Sequence, residues 1–469
     1  MSVAELPRSS PTCPAAQSRA ALRREFPERI GVATAFLNGP SLCMSHFAIV
    51  TPPLAGHINA LSALALELIE RGHRVTLVGP ADAGRWLSDE RIGFHLIGRD
   101  THPAGTDRAE TGRMGKLMGL FGVPRMIRDL ARMTDMICRE APGAFAAIGA
   151  DAVIADQLEP GGALAAEVAG LPLVTVATGL HVNAEPRVPP PFVGWRYDPS
   201  EYGEWKARGA YRVSDRLMAP IGDVLERHCR ENGLPVRRDV SEWVSDRLDL
   251  LQAVGGIDYP REALPASTHY VGPLRRPDPR RFLPLDLLGR DRPLAFVSLG
   301  TLQGSRASLL KRIARAVVDC DLDLVLVHCG GLSDAEVATL PERAIVRDFV
   351  PQRAVLERAD IAVLHGGFNT VLDALAMRTR IVVMPLAFEQ PAIAARLERA
   401  GVGRKLSPHF ATRSSIARAI RDVIADDAMR ERIEGLAEEI ERAGGVRCAA
   451  DLIEEMIVPA VSTVAEASA

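Results

Sequence analysis

Two separate series of short apolar runs that alternate with helical segments constrain this chain more than any other feature. The first series begins at Met44 and reads HFAIVT, PPLAGH, INALSALALELIERG and HRVTLVG, and the same pattern returns in DAVIADQ, GGALAAEVAG and LPLVTVAT. PPLAGH has the composition of a turn, and the apolar residues of the long segments recur at helical spacing. This alternation predicts a parallel sheet that is covered by helices.

A second series follows a segment that is rich in proline and arginine. It contains the apolar runs PLAFVSLG, LDLVLVHCG, AIVRDF, DIAVLHGG and RIVVMP, with helical segments such as SRASLLKRIARAVV between them. At 469 residues the chain is long enough for two domains, each with its own core. The fold class predicted is α/β, with two Rossmann-like doubly wound domains that face each other across a cleft. In such sheets ligands bind beyond the carboxyl ends of the strands.

The domain boundaries follow from these patterns. We predict a first domain over residues 44–271, a linker over 272–293, a second domain over 294–440, and a C-terminal helix and tail over 441–469. Residues 1–43 combine several arginines with the short run GVATAF, which only loosely imitates a signal peptide. We therefore interpret them as a disordered or mis-started extension.

Composition excludes several classes of function. The formal net charge is −3 and the isoelectric point is about 6.4, so no nucleic-acid partner is expected, and arginine-rich pieces such as RRPDPRR read as solvated linker. The seven cysteines include no CxxC pair, which favours a reducing cytoplasm and argues against a zinc site. No run of 18 apolar residues is present, so any membrane contact should be peripheral.

Polar residues cluster where the predicted strands of the second series end. HGGFNT joins a strand to a helix and contains His365, Gly367, Asn369 and Thr370, with Asp373 one turn further on. A helix N-terminus offers unpaired N–H groups and a positive dipole end, and glycines let an anion approach the backbone, so a phosphate site is indicated. The alternative is that the two glycines only make a tight turn.

The ends of two neighbouring predicted strands carry groups that suit a base and sugar hydroxyls. FVPQ supplies the aromatic ring of Phe349 for a base and the amide of Gln352 for a sugar hydroxyl. Glu389 and Gln390 follow the strand RIVVMP and suit adjacent hydroxyls of a hexose. The order of these groups along the chain indicates a nucleotide-sugar site, although neither a Walker loop nor a GxGxxG turn is present.

The stretch FVPQRAVLERADIAVLHGGFNTVLDALAMRTRIVVMPLAFEQP resembles the nucleotide-sugar signature of the UDP-glycosyltransferases, which are inverting enzymes with the GT-B fold. The resemblance implies that 44–271 is an acceptor-binding domain and 294–440 a nucleotide-sugar-binding domain. It implies a UDP-sugar donor as co-substrate, without a cofactor or metal. The donor-binding residues that it implies are Phe349 and Val350 near uracil, Gln352 and Asp373 at ribose, His365, Gly367, Asn369, Thr370 and Thr301 (in SLGTLQG) at the diphosphate, and Glu389 and Gln390 at the sugar.

Two positions depart from the family pattern. The family more often has Glu at the position of Asp373 and Asp at the position of Glu389. Asp373 has a shorter side chain than Glu and so reaches less far toward ribose. Glu389 has a longer side chain than Asp and so reaches further toward the sugar. Despite these departures, glucose remains the predicted donor sugar, with another hexose left open.

The same resemblance assigns the reaction to the first domain. His57 ends PPLAGH and matches the catalytic histidine, and Asp156 matches the acid that orients it. We expect the helix start to keep the imidazole neutral, as a general base requires. Alternatively, Asp156 could only cap the next helix. By the same resemblance Thr178 is expected to contact the donor sugar, and the alternative is that it is a buried strand hydroxyl.

Within the family, the chain is most similar to bacterial carotenoid (zeaxanthin) glucosyltransferases, through stretches such as VNAEPRVPPPF and PLAFEQP. This implies an apolar hydroxylated acceptor. Residues 114–136 include five methionines, which could line an acceptor site or rest on the inner face of a membrane, or could simply be core. A macrolide, a sterol or another apolar alcohol remains an alternative acceptor, and a nucleotide-sugar-binding protein without catalysis or an epimerase remains an alternative function.

Overall fold

A computed structural model describes residues 44–106, 122–276 and 292–457 of the chain. Within these ranges the strands form two separate sheets, and every strand pair is parallel. The first sheet has the order β3-β2-β1-β4-β5-β6-β7. Its strands are β1 His46–Val50, β2 Arg74–Gly79, β3 Gly93–Leu96, β4 Ala152–Asp156, β5 Leu173–Ala177, β6 Asp249–Leu251 and β7 Thr268–Tyr270.

The second sheet has the order β10-β9-β8-β11-β12-β13. Its strands are β8 Leu294–Ser298, β9 Asp323–Val327, β10 Ala344–Arg347, β11 Ile361–Leu364, β12 Arg380–Val383 and β13 Gly403–Lys405. In both sheets the strand order reverses beside the first strand, between β1 and β4 and between β8 and β11. Ligands of doubly wound sheets bind at such reversals.

Helices cover the faces of the sheets. The first domain contains α1 Ala55–Glu70, α2 Ala81–Gly84, α3 Gly122–Ile148, α4 Pro160–Val168, α5 Glu201–Glu231 and a 3₁₀ turn at Val240–Trp243. The second contains α6 Ala307–Val318, α7 Asp334–Val337, α8 Gln352–Leu356, α9 Phe368–Ala376, α10 Gln390–Ala400, α11 Arg413–Ile424, α12 Asp427–Ala443 and α13 Val446–Ile457.

The cores explain why the central strands are nearly uniformly apolar. Both faces of β1, β4, β8, β9 and β11 are buried, so each of these strands is a continuous run of buried residues rather than an alternating one. The largest apolar cluster extends across both domains and joins Leu180 and Leu251 of the first to Met384 of the second. Helix α13 packs its apolar face, including Leu452 and Ile453, into the core of the first domain.

The predicted fold class is confirmed, and the strands lie where the apolar runs place them. Four strands were not predicted: β3, β6, β7 and β13 are three or four residues long and lie at or next to sheet edges. The predicted 1–43 extension, most of the 272–293 linker and the tail from 458 lie outside the described residues. No helix among the described residues is long and apolar enough to span a membrane.

The methionine-rich stretch 114–136 is described only from Gly122. Met133 and Met136 of helix α3 are buried, 4% and 0% exposed, against β1 and β4. Their spacing therefore reflects core packing, which confirms that alternative for these two side chains and excludes the acceptor wall and the membrane contact for them.

Candidate active site

The two candidate catalytic residues meet because β1 and β4 are neighbours in the first sheet. Val50 pairs with Ala155, so the residues that follow the ends of these strands lie side by side. His57 stands in the first turn of α1, and Asp156 is the last residue of β4. His57 Nδ1 lies 2.8 Å from Asp156 Oδ2, with side-chain exposures of 17% and 0%.

Other hydrogen bonds hold the Asp156 carboxylate in this orientation. The hydroxyls of Thr178 and Thr51 donate to Oδ2 at 2.6 and 3.3 Å, and the Leu158 N–H donates to Oδ1 at 2.9 Å. Thr178 Oγ1 is also 2.7 Å from His57 Nδ1. The Thr178 hydroxyl donates its hydrogen to Asp156, and a carboxylate oxygen can only accept. The hydrogen that lies between His57 and the oxygens of Asp156 and Thr178 is therefore carried by His57 Nδ1. The Nε2 lone pair is then the basic site of the ring.

Thr178 therefore has contacts that the sequence did not predict. Its hydroxyl belongs to the His57–Asp156 network, and a contact with a donor sugar stays a prediction.

The surroundings of His57 raise its pKa. Burial alone would lower the pKa, but the charge and hydrogen bond of Asp156, with a contribution from Glu389, outweigh burial and raise it above the ordinary 6.5. The pKa shift is opposite in direction to the one expected from the helix start, because the carboxylates have the larger effect. The resulting imidazole is a stronger base that needs a higher pH to be unprotonated.

The second sheet presents His365 and the glycines of HGGFNT at the end of β11. The imidazole fits against two glycine turns: a Cβ on Gly300 would lie 2.6 Å from its Cε1, and a Cβ on Gly367 would lie 2.5 Å from its Nε2. Burial lowers the pKa of His365 to about 4, so its ring is neutral at neutral pH. Gly367 precedes α9, and Thr301 is exposed in the Gly300 turn.

The groups predicted for the base and ribose lie together. Gln352 Nε2 donates to Asp373 Oδ2 at 2.8 Å, and Thr370 Oγ1 donates to Gln352 Oε1 at 3.3 Å. Phe349, three residues before Gln352 in the chain, is 63% exposed. Val350 packs against the core instead of facing solvent.

Three predicted donor-binding side chains make bonds to the protein itself. Asn369 Nδ2 donates to the Gly56 carbonyl at 3.0 Å, across the cleft. Glu389 Oε2 accepts the Leu180 N–H at 3.0 Å, also across the cleft. Gln390 Oε1 accepts the Leu386 and Ala387 N–H groups, so only its amide nitrogen can serve a sugar.

Glu389 lies close to the first domain because that domain has a glycine opposite it. A Cβ on Gly179 would lie 2.5 Å from Glu389 Oε2. Burial raises the pKa of Glu389, whereas the Leu180 N–H and His57 oppose that rise. The predicted sugar-binding acid and the candidate catalytic histidine thus belong to one electrostatic environment.

Arg275 is the candidate site residue that sequence reasoning missed. It lies beyond β7, and its Nε donates to Asp373 Oδ1 at 2.9 Å while Nη2 donates to Asn369 Oδ1 at 2.5 Å. Gln252 Nε2 reaches the same Asn369 oxygen at 2.9 Å. The sequence reads Arg275 as part of a solvated linker, and β7, the strand before it, is too short to be predicted, so no sequence signal marks this residue.

The residues that the structure describes contain no group of three or more His, Cys, Asp or Glu side chains that could hold a metal ion.

Comparisons with known proteins identify the family of the chain. Residues 311–454 match the family model described as erythromycin biosynthesis protein CIII-like, C-terminal domain. The zeaxanthin glucosyltransferase of Pantoea ananas is 38% identical over 423 residues, which cover 88% of this chain and 96% of that protein. The demethyllactenocin mycarosyltransferase of Streptomyces fradiae is 30% identical, over 89% of this chain and 87% of that protein.

Solved structures of low sequence identity share the fold. The glycotransferase of kitacinnamycin has a TM-score of 0.70 at 22% identity, covering 88% of this chain and 99% of that one. The glycosyltransferase VinC, solved in complex with dTDP, has a TM-score of 0.62 at 20% identity, covering 87% and 99%.

Proposed function

This chain belongs to the UDP-glycosyltransferase family with the GT-B fold, and on that premise we propose that it transfers glucose from UDP-glucose to a hydroxyl of zeaxanthin, with inversion. The observation that carries this proposal is the position of the His57–Asp156 pair. Its Nδ1–Oδ2 distance is 2.8 Å, and it lies on the first domain facing Glu389 of the second. A base on one side of a cleft and a sugar-binding acid on the other suit a direct displacement between two substrates.

In the proposed reaction, His57 Nε2 accepts the proton of the acceptor hydroxyl while the hydroxyl oxygen forms a bond to the anomeric carbon. The bond from that carbon to the diphosphate oxygen breaks on the opposite face, and UDP leaves with the electron pair. Asp156, which cannot move because three donors hold it, stabilises the imidazolium that forms. One displacement inverts the configuration.

The leaving diphosphate would be stabilised by the second domain. Helix α9 directs its N-terminus toward this edge, His365 can donate as a neutral imidazole, and Arg275 supplies a positive charge close to Asn369. We propose that these groups suffice without a metal or cofactor, and that activity persists after exhaustive treatment with a chelator.

The acceptor is proposed from the relatives. Two zeaxanthin glucosyltransferases, from Pantoea ananas and Pseudescherichia vulneris, are each 38% identical to this chain. The aligned regions cover 96% and 98% of those two proteins. A cytoplasmic location is also part of the proposal, and cell fractionation tests it.

The test is to incubate the purified protein with UDP-glucose and zeaxanthin in detergent micelles and to separate the pigments by chromatography with mass detection. We expect products heavier by one or two hexoses, and none with His57→Ala. UDP-galactose and UDP-xylose in parallel reactions test the choice of sugar. Turnover of a macrolide or a sterol, with zeaxanthin unchanged, would reject the proposed acceptor while leaving the donor site intact.

A further inference from the structure

One face of helix α5 is exposed and apolar, although apolar side chains elsewhere on the described helices are mostly buried. Tyr202, Trp205, Val213 and Leu217 are 64%, 70%, 59% and 41% exposed. They recur at spacings of three, eight and four residues, which places them on one side of the helix within an arc of about 120°. We call this side, with the basic residues described next, the aromatic face of α5.

The charges on the aromatic face are positive. Lys206 and Arg216 fall within the same arc and Arg212 lies just outside one edge of it, whereas the acidic Glu201, Glu204 and Asp215 lie further round the helix. The Lys206 ammonium is 4.9 Å from the centre of the Trp195 ring and 5.7 Å from that of Tyr202. Basic residues interleaved with exposed Trp and Tyr are typical of helices that lie in a membrane interface.

Two of the exposed aromatic rings are in contact with each other. Tyr202 and Trp205 stack with ring centres 5.8 Å apart. Phe192, 44% exposed, lies in the segment that leads into α5. Exposed apolar patches of this kind on a soluble protein mark interaction surfaces.

The segment before α5 connects this surface to the cleft. Gly194 packs against Pro391, which directly follows Glu389 and Gln390: a Cβ on Gly194 would lie 2.6 Å from the Pro391 Cβ. The Tyr259 hydroxyl donates to the Trp195 carbonyl at 2.8 Å, which fixes the same segment from the first domain. The aromatic face therefore adjoins the side of the cleft where the two domains meet at Glu389.

We infer that the aromatic face of α5 docks on an anionic lipid bilayer, with the rings at the headgroup level and the cations against the phosphates. A second copy of the chain is a poorer occupant, because a twofold contact would place this basic patch against the same basic patch of the other copy. The inference does not rest on the proposed acceptor, since docking requires no substrate. It gives an apolar acceptor a path from the bilayer to the cleft without crossing water.

The experiment is flotation of the full chain with vesicles of phosphatidylcholine alone or with about one third phosphatidylglycerol, at low and high salt. The chain should float with the anionic vesicles and be released by salt. Replacing Lys206, Arg212 and Arg216 together with glutamate should weaken binding by about 100-fold or more, since each cation near an anionic surface contributes a factor of about five. The double variant Tyr202→Ser, Trp205→Ser should weaken it by about tenfold or more.

Phe410→Ser is the matched control, because Phe410 is 86% exposed but lies on the second domain, away from α5. It should bind vesicles like the unchanged chain, and circular dichroism should show that every variant is folded. Brominated lipid should quench Trp205 fluorescence, and Trp205→Tyr should lose most of that quenching.

Three outcomes would overturn the inference: no binding to anionic vesicles, unchanged binding of the double variant, or equal binding to neutral and anionic vesicles. A fourth is a dimer in light scattering that the double variant converts to a monomer, because the face would then be a subunit interface. None of these outcomes involves glucosyl transfer, so the proposed reaction would stand or fall separately.

Discussion

The two edges that face each other across the cleft are built differently. On the first domain, His57, Asp156, Thr178 and Thr51 bond to one another, so their geometry is complete without a ligand. On the second domain, Asn369 and Glu389 bond instead to backbone atoms of the first. We call the first of these the catalytic edge and the second the donor edge. The catalytic edge is preorganised by one domain, whereas the donor edge uses hydrogen bonds that a bound donor would have to replace.

This difference indicates how closure and donor binding are related. Arg275 pairs with Asp373 and Asn369, which are two of the residues proposed for ribose and diphosphate. UDP-glucose would therefore exchange protein–protein bonds for protein–ligand bonds, at a modest net free energy. Substitutions at the catalytic edge should reduce the turnover number, and substitutions at the donor edge should mainly raise KM.

The largest effect is expected for His57→Ala. Loss of a positioned general base should lower kcat about 10³-fold, whereas UDP should bind with unchanged affinity because the base does not contact it. Initial rates with zeaxanthin and calorimetric titration of UDP measure the two quantities. Turnover within threefold of the unchanged enzyme would contradict the assignment of His57 as the base.

Asp156→Asn should have the next largest effect and should also change the pH profile. We expect kcat to fall about 100-fold, because the imidazolium loses its counter-charge. His57 must be neutral to act, so activity falls as pH drops through its raised pKa. Without the carboxylate the main remaining cause is burial, which lowers that pKa, so the acid limb of kcat/KM should move to lower pH. An unmoved limb would show that it reports another group.

Arg275→Ala should act on the donor edge alone. Loss of a charged hydrogen-bond donor should raise KM for UDP-glucose about 10- to 100-fold, with a smaller change in kcat. Arg276→Ala is the matched control, because the neighbouring Arg276 pairs with Glu70 and Glu67 on helix α1. An equal rise in both variants would indicate a general disturbance of the segment rather than donor binding.

The sequence predicted the central strands because they are apolar on both faces and bounded by turns. The family resemblance predicted that His57 and Asp156 act together, and the structure gives the physical reason, because β1 and β4 are neighbours that end at one edge of a parallel sheet. The sequence could not predict the short edge strands, whose three or four residues carry too little periodicity. Nor could it predict contacts between domains, such as Arg275 with Asp373 or Glu389 with Leu180, since no local pattern encodes how two sheets face each other.

The smallest effect on the donor edge is expected at Phe349, a proposed donor contact that the protein leaves largely uncovered, at 63% exposure. Phe349→Ala should raise KM for UDP-glucose about fivefold, the lower end of what a base gains by stacking on a ring. Phe349→Trp should lower KM slightly, because the indole offers more area. Neither change should alter the melting temperature, since an exposed ring contributes little to the core. A large loss of stability with Phe349→Ala would mean that the ring supports the fold. The donor edge would then be preorganised like the catalytic one.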